Sequence, residues 1–168
     1  MVEMLVIEDT NFLVSALKTT DSFHGDAVET LKILSRLDIQ YVYPQVVINE
    51  AIFVLLRNGY NSDRIRERIN NLSMLPKVII QDTGILTLLR YASRYYDSIP
   101  ISSNRGSECI NGTNDFIIAC LALDYNATVI SNDDRLIKAA KDANIVCYNF
   151  TKEDDREMLE RTLNTLNQ

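Results

Sequence analysis

Short apolar runs that alternate with helix-like segments limit the fold of this sequence more than any other feature. The runs are only a few residues long and lie at 4–7, 41–43, 78–80, 128–130 and 145–148. Between them, apolar residues recur at helical spacing, most clearly at 26–37 and 44–58. Strands that alternate with helices form a mostly parallel sheet. We therefore predict an α/β fold with a mostly parallel central sheet.

The chain of 168 residues has the length of about one domain. We predict a catalytic domain at 1–150 and a helical tail at 151–168 that packs on the same domain. A Ser-, Asn- and Gly-rich stretch at 97–114 is predicted as one long loop. The further helices are predicted at 10–17, 62–75, 85–96, 116–123, 135–143 and from 152 onward.

Composition excludes several classes of protein. Apolar residues make up 46% of the chain, with only 5 Gly and 3 Pro, so it is neither low-complexity nor collagen-like. No apolar run approaches the ~18 residues that a membrane span needs, and the first residues carry no basic segment typical of a signal peptide. The cysteines, Cys109, Cys120 and Cys147, lack metal-ligand spacing. We expect reduced thiols, a cytoplasmic protein and no membrane partner.

A single histidine, His24, excludes most catalytic dyads and every multi-histidine metal site. Its setting predicts a loop or helix-start position. Any chemistry must then come from carboxylates.

The net charge of −6 argues against a nucleic-acid partner. Residues 57–105, however, hold eight basic against four acidic side chains. Among these, Arg64 and Arg68 are four apart on one predicted helix face, where they either contact RNA phosphates or form a solvated surface.

Four carboxylates are the candidates for catalysis. Asp9 follows the first strand, and Asp133 follows the strand at 128–130. Glu50 and Asp115 lie within apolar helices, with apolar residues three and four positions away, so we expect both on packed helix faces. Because the carboxyl ends of parallel strands share one edge of the sheet, the four side chains can converge there.

Each carboxylate also has a structural interpretation. Asp9 and Asp133 fit helix caps, Asp115 fits an acid in the first turn of a helix, and Glu50 fits a buried ion pair with an arginine. If the four do converge, they repel one another and need a divalent cation. Oxygen ligands without His or Cys favour Mg²⁺ or Mn²⁺.

The acidic residues and their neighbours resemble the four motifs of PIN-domain proteins, with the VapC-type toxin ribonucleases as the most similar subgroup. The resemblance covers roughly residues 4–148, with the motifs in the same order. The resemblance rests on four segments, Asp9-Thr10-Asn11, Asn49-Glu50, Asn114-Asp115 and Ser131-Asn132-Asp133. Ser131 stands where the family usually has Thr, and it keeps the hydroxyl.

The resemblance implies a three-layer α/β/α sandwich and a metal-dependent endoribonuclease, acting as the toxin of a toxin–antitoxin pair. Asp9, Glu50, Asp115 and Asp133 would be catalytic residues and ligands of Mg²⁺ or Mn²⁺. Their polar support would come from Asn11, Asn114 and Ser131. The expected partners are an RNA substrate, a protein antitoxin and a second copy of the chain in a homodimer.

Two other functions remain open at this point. One is a catalytically silent PIN-like module that binds RNA or protein. The other is an aspartyl-phosphate receiver, because Glu8 and Asp9 form an acidic pair after the first strand. A receiver needs a lysine after a late strand, and the last apolar run offers none before Lys152.

Overall fold

The structure is a computed structural model that describes residues 4–35, 39–74, 77–99 and 112–166. Within these ranges it contains five strands and eight helices. In chain order they are β1 Met4–Glu8, α1 Thr10–Leu17, α2 His24–Ser35, β2 Ile39–Pro44, α3 Gln45–Arg57, α4 Ser62–Ser73, β3 Val78–Gln81, α5 Ile85–Tyr95, α6 Thr113–Tyr125, β4 Thr128–Ser131, α7 Asp134–Asp142, β5 Cys147–Asn149 and α8 Glu153–Leu166.

The five strands form one parallel sheet in the order β3-β2-β1-β4-β5. The chain fills one half of the sheet as β1, β2 and β3, and then returns to the other side of β1 to place β4 and β5. Val6 of β1 is in register with Tyr41 of β2 on one side and with Thr128 of β4 on the other. The strand order therefore reverses between β1 and β4.

Helices cover both faces of this sheet. Successive residues of a strand point to opposite faces, and the neighbours Val6 and Ile7 of β1 belong to two different apolar clusters. Ile7 packs with residues of α3, α6 and α7. Val6 packs with residues of α2 and α8, among them Leu34 and Leu159. The mostly parallel sheet and the three-layer α/β/α sandwich are thus confirmed.

The last helix, α8, lies against α2. Leu159 and Leu163 are both 1% exposed in the cluster with Leu34. Arg156 donates to Asp26 of α2 at 3.0 Å and to the carbonyl oxygen of Phe150 at 2.7 Å. These contacts support the proposal that the tail belongs to the same domain as residues 1–150.

The predicted helices and strands in the described ranges are present, with small shifts at their ends. The largest shift is in α6, which begins at Thr113 and ends at Tyr125, whereas the prediction was 116–123. Residues 100–111 of the predicted loop at 97–114 lie outside the described residues. Among the helices that the structure describes, none is long and apolar enough to cross a membrane.

Candidate functional site

The candidate site lies at the carboxyl ends of β1 and β4, where the strand order reverses. In open parallel sheets this is the place where a crevice forms and ligands bind. Asp9 directly follows β1, and its backbone N–H donates to the carbonyl oxygen of Ile130 at 3.1 Å. Asp133 directly precedes α7, two residues after the end of β4. The sheet topology thus brings these two acids side by side.

Asp9 both caps a helix and belongs to the site. Its Oδ1 accepts from the backbone N–H of Phe12 at 2.8 Å, which caps α1. Its Oδ2 accepts from the hydroxyl of Ser131. Burial raises the pKa of Asp9 to about 7, the two hydrogen bonds oppose this rise, and the charges of Asp133 and Asp115 add to it. The side chain of Asp9 therefore has both roles: it caps α1 and it belongs to the site.

Ser131 joins the two acids that follow strands. The residue is fully buried at the end of β4, and its hydroxyl donates to Asp9 while it accepts from the backbone N–H of Asp133 at 2.9 Å. Asp133 in turn caps α7, because its Oδ1 accepts from the N–H groups of Arg135 and Leu136 at 2.8 and 3.2 Å. The hydroxyl of Ser131 makes both the contact with Asp9 and the contact with Asp133, and a Thr at this position would carry the same hydroxyl.

Glu50 lies on the exposed side of α3, so the expectation that it sits in a packed apolar stripe is wrong. Its Oε2 accepts from the hydroxyl of Thr10 at 2.7 Å and from the side-chain amide of Asn114 at 2.8 Å. Among the described residues no arginine pairs with it. The reason for the error is that α3 is apolar on every side, and its buried residues are Val47, Ile48, Ala51 and Leu55.

Asp115 stands in the first turn of α6, half-buried beside the other acids. Burial raises its pKa to about 6, the charges of Asp133 and Glu50 raise it further, and Arg135 opposes the rise. A first-turn position stabilises an ionised acid, but here burial, together with the nearby carboxylates, raises the pKa. Asp115 is thus electrostatically coupled to the rest of the site.

One cavity of about 420 Å³, which we call the acid cavity, is lined by all four predicted carboxylates. Asn11 and Asn114 also line it, whereas the buried Ser131 lies behind Asp9. The lining acids are Asp9, Glu50, Asp115 and Asp133. They come from the end of β1, from α3, from α6 and from the start of α7, so the fold gathers residues that are far apart in sequence.

The donors of the acid cavity suit a hard divalent cation, since all are oxygen atoms. In the described part of the chain, however, no group of three or more His, Cys, Asp or Glu side chains is arranged to hold a metal ion as it stands. The acids still influence one another, because the charges of Asp133 and Asp115 add to the rise in the pKa of Asp9 that burial causes. The donor set of the site, oxygen atoms alone, fits Mg²⁺ or Mn²⁺ in its chemistry.

Sequence reasoning named two further residues near the acid cavity without giving them a role in it. Thr10, which belongs to the motif Asp9-Thr10-Asn11, donates a hydrogen bond from its hydroxyl to Glu50. Glu8 is 1% exposed, and its Oε2 accepts from the hydroxyl of Tyr43. Burial raises the pKa of Glu8 to about 8, which the Tyr43 hydrogen bond opposes and the charge of Asp9 reinforces. Glu8 is a buried neighbour of the acid cavity and does not line it.

The remaining predicted residues lie elsewhere. Arg64 is exposed on α4, and the guanidinium of Arg68 donates to the carbonyl oxygen of Leu17 at the end of α1. Neither lines the acid cavity, and their binding to RNA phosphates stays a prediction. His24 begins α2, and its Nδ1 lies 2.8 Å from the carbonyl oxygen of Ser15, so the helix-start position is confirmed.

The free thiols of Cys120 and Cys147 are buried, and burial raises the pKa of each. Cys109 falls outside the described residues. Neither described thiol lines the acid cavity, so the candidate chemistry rests on carboxylates.

Solved structures with a similar fold match the chain at low sequence identity. VapBC2 from Rickettsia felis, bound to a DNA fragment from its promoter, is 19% identical with a TM-score of 0.58, covering 87% of this chain and 98% of that one. VapBC-1 from nontypeable Haemophilus influenzae is also 19% identical with a TM-score of 0.58, covering 89% and 100%. The sarcin–ricin loop cleaving toxin VapC20 from Mycobacterium tuberculosis is 13% identical with a TM-score of 0.55, covering 74% and 86%.

At these identities the solved structures establish the fold alone. No curated protein sequence matches the chain. The model of one family, described as the PIN domain, matches residues 6–142 and so spans most of the chain, including all four acids of the cavity. The protein therefore belongs to the PIN domain family.

Proposed function

We propose that the protein is a metal-dependent endoribonuclease that hydrolyses phosphodiester bonds of RNA in the acid cavity. The observation that carries this proposal is the convergence of Asp9, Glu50, Asp115 and Asp133 on one cavity where the strand order reverses. Burial, and to a smaller extent the charges of the neighbouring acids, disfavours the ionised forms of Asp9 and Asp115 in the unliganded protein and raises their pKa values. A bound Mg²⁺ or Mn²⁺ offsets this cost.

The four carboxylates would hold the metal, which supplies an activated water and neutralises charge on the phosphate. The chain's own polar groups fix the carboxylates. Ser131 orients Asp9, and Thr10 and Asn114 orient Glu50. Such orientation is needed because a misplaced ligand loses much of its effect. In the reaction the water oxygen bonds to phosphorus, the 3′-oxygen leaves with a proton, and a 5′-phosphate remains.

A protein antitoxin is the proposed partner, and a homodimer the proposed assembly. The similarity to VapBC structures supports the first. A short reading frame beside this gene, whose product co-purifies with the protein and suppresses RNA cleavage, would establish such a pair. The proposed compartment is the cytoplasm, where such a toxin meets RNA.

Asp115→Asn tests the enzymatic proposal. The change removes one of the repelling charges, so we expect the metal-free protein to melt no lower than the unsubstituted one, while cleavage of RNA in Mn²⁺ falls strongly. Asp142→Asn, on the exposed last turn of α7, is the matched control and should leave cleavage unchanged. Full cleavage by the Asp115 variant, or by the unsubstituted protein in excess EDTA, would contradict the proposal.

A catalytically silent binding module is the second candidate. It is favoured by the fact that, in the described ranges, no three metal-binding side chains are yet arranged around one point. Titration with Mn²⁺, followed by the electron paramagnetic resonance of the free ion, separates the two candidates. A ribonuclease with this site binds Mn²⁺ and loses that binding in Asp115→Asn, whereas a silent module binds no Mn²⁺ in either form.

A further inference from the structure

We propose that a second cavity, beside the acid cavity, binds the base and ribose of one nucleotide of single-stranded RNA next to the bond that is cut. This inference rests on the proposed ribonuclease function and specifies where a nucleoside of the RNA substrate binds. The second cavity, called here the Phe23 cavity, has a volume of about 270 Å³. Its walls come from α1, from the turn between α1 and α2, from α3 and from the loop after β4.

The Phe23 cavity adjoins the acid cavity. Thr10, Asn11 and Glu50 line both. These residues form the boundary between the two spaces, so a group in the Phe23 cavity is the immediate neighbour of a group among the acids. When a phosphodiester lies in the acid cavity, the adjoining nucleoside is therefore the part of an RNA that reaches the Phe23 cavity.

The ring of Phe23 is held in place although it is 40% exposed. It meets Phe150 edge-on, with ring centroids 6.5 Å apart and an angle of 87°. The turn that carries it is fixed by Asp21, whose Oδ1 accepts from the backbone N–H of Phe23 and from the hydroxyl of Ser15, both at 3.0 Å. An immobilised, accessible aromatic ring is the usual platform on which proteins stack unpaired bases.

The charges around the Phe23 cavity select a neutral occupant. The described residues that line it include no Lys or Arg, and the acidic side chains among them are Asp21 and Glu50. The Nζ atom of Lys18 lies 3.9 Å from Asp21 Oδ2 but Lys18 does not line the cavity, so a phosphate there would meet carboxyl groups and no cation. The neutral polar side chains of Asn11 and Ser22 are exposed there and can hydrogen-bond a base or a ribose hydroxyl. The volume lies just below the ~300–1,000 Å³ of pockets for drug-sized ligands, which suits one nucleoside.

The absence of tryptophan from the sequence allows a direct test. Phe23→Trp gives the protein a single indole at the proposed stacking position. Phe53→Trp places the same single indole at an exposed phenylalanine of α3 that lines neither cavity. Both are made together with Asp115→Asn, which prevents cleavage and lowers the repulsion of phosphate. We titrate each with oligo(A), oligo(C), oligo(G) and oligo(U), and follow indole fluorescence and the anisotropy of labelled RNA.

We expect RNA to quench the indole of Phe23→Trp and to leave that of Phe53→Trp unchanged. In the otherwise unsubstituted protein, Phe23→Leu keeps the apolar contact with Phe150 but removes the aromatic face. It should raise KM for single-stranded RNA about tenfold with a smaller change in kcat, and Phe53→Leu should not.

RNA that binds by anisotropy without quenching Phe23→Trp would overturn the inference while leaving the ribonuclease proposal intact. The same holds for an unchanged KM in Phe23→Leu, the result expected if the cavity serves a partner protein instead. Failure of the unsubstituted protein to cleave any of the four RNAs, together with no RNA binding by either indole variant, would overturn the proposed function and this inference at once.

Discussion

Glu50 is held by the neutral groups of Thr10 and Asn114, with no cation paired to it among the described residues. The change Glu50→Gln therefore strands no buried charge, and we expect the fold to persist. If Glu50 is a metal ligand, cleavage should fall by at least ~100-fold, since such ligands supply much of the transition-state stabilisation. The two measurements are the melting temperature in EDTA and RNA cleavage in Mn²⁺.

Glu67→Gln, on the exposed side of α4, is the control for this change and should be neutral in both measurements. A well-folded Glu50→Gln protein with near-normal cleavage would show that Glu50 is not a ligand. A large fall in melting temperature would instead reveal an ion pair outside the described residues.

Thr10 offers a second test at the level of single residues. Thr10→Val keeps the shape of the side chain and removes the hydroxyl that donates to Glu50. Loss of a group that orients a metal ligand typically costs ~10–100-fold in metal affinity or activity. We expect a weaker Mn²⁺ affinity by calorimetry and slower cleavage, with recovery in Thr10→Ser. Equal Mn²⁺ affinity in the Val and Ser variants would mean that the hydrogen bond has no such role.

Among the helices and strands, α8 contributes no residue to the acid cavity, so its contribution to stability can be tested separately from the site. Leu159 is 1% exposed, whereas its neighbour Met158 is 57% exposed. Leu159→Ala should lower the free energy of unfolding by about 2–5 kcal/mol, as for other buried leucines, and Met158→Ala should have little effect. Urea denaturation of both variants measures the difference. Equal, small effects would show that α8 adds little to the domain.

The order of the elements could be predicted because short apolar strands and amphipathic helices have different periods. The placement of Asp9 and Asp133 followed from the same logic, since both come after strands of a parallel sheet. The orientation of Glu50 could not be predicted. In a helix such as α3, where Val46, Ile52 and Phe53 are apolar but not buried, spacing identifies neighbours without identifying the face that meets the core.

The hydrogen bond from Thr10 to Glu50 and the Phe23 cavity could not be predicted either. Both depend on how α1, α3 and the turn between α1 and α2 approach one another. Tertiary packing decides such distances, and no local pattern in the sequence encodes them. The supporting role of Ser131, by comparison, was expected only through the family resemblance, which did not identify Asp9 as its partner.

For the whole molecule, the buried acids predict how stability depends on pH. The pKa values of Asp115, Asp9 and Glu8 are raised to about 6, 7 and 8 in the folded protein, from ordinary values of 3.8 to 4.5. Between about pH 4 and pH 8 the folded state therefore binds more protons than the unfolded state. Its free energy of unfolding falls as the pH rises through this window.

We expect the melting temperature in EDTA to decrease from pH 5 toward pH 8, by a smaller amount in Asp115→Asn. Mn²⁺ should raise the melting temperature most at the alkaline end, where the carboxylates are ionised and free to bind it. Calorimetric melting across this range, with and without Mn²⁺, measures both effects. A melting temperature in EDTA that rises with pH would show that the ionised forms of these three acids are not disfavoured in the folded state.

The reversal of strand order beside β1 also determines when the sheet and the acid cavity can be completed during synthesis of the chain. Val6 of β1 pairs with Thr128 of β4, so the central strand keeps an open edge until the ribosome has added the intervening chain. At ~5–20 residues per second this takes roughly 6 to 24 seconds. Asp133 emerges later still. A nascent chain that stalls before β4 has an incomplete sheet and an incomplete set of acids, so the RNA cleavage proposed above requires that synthesis has passed Asp133.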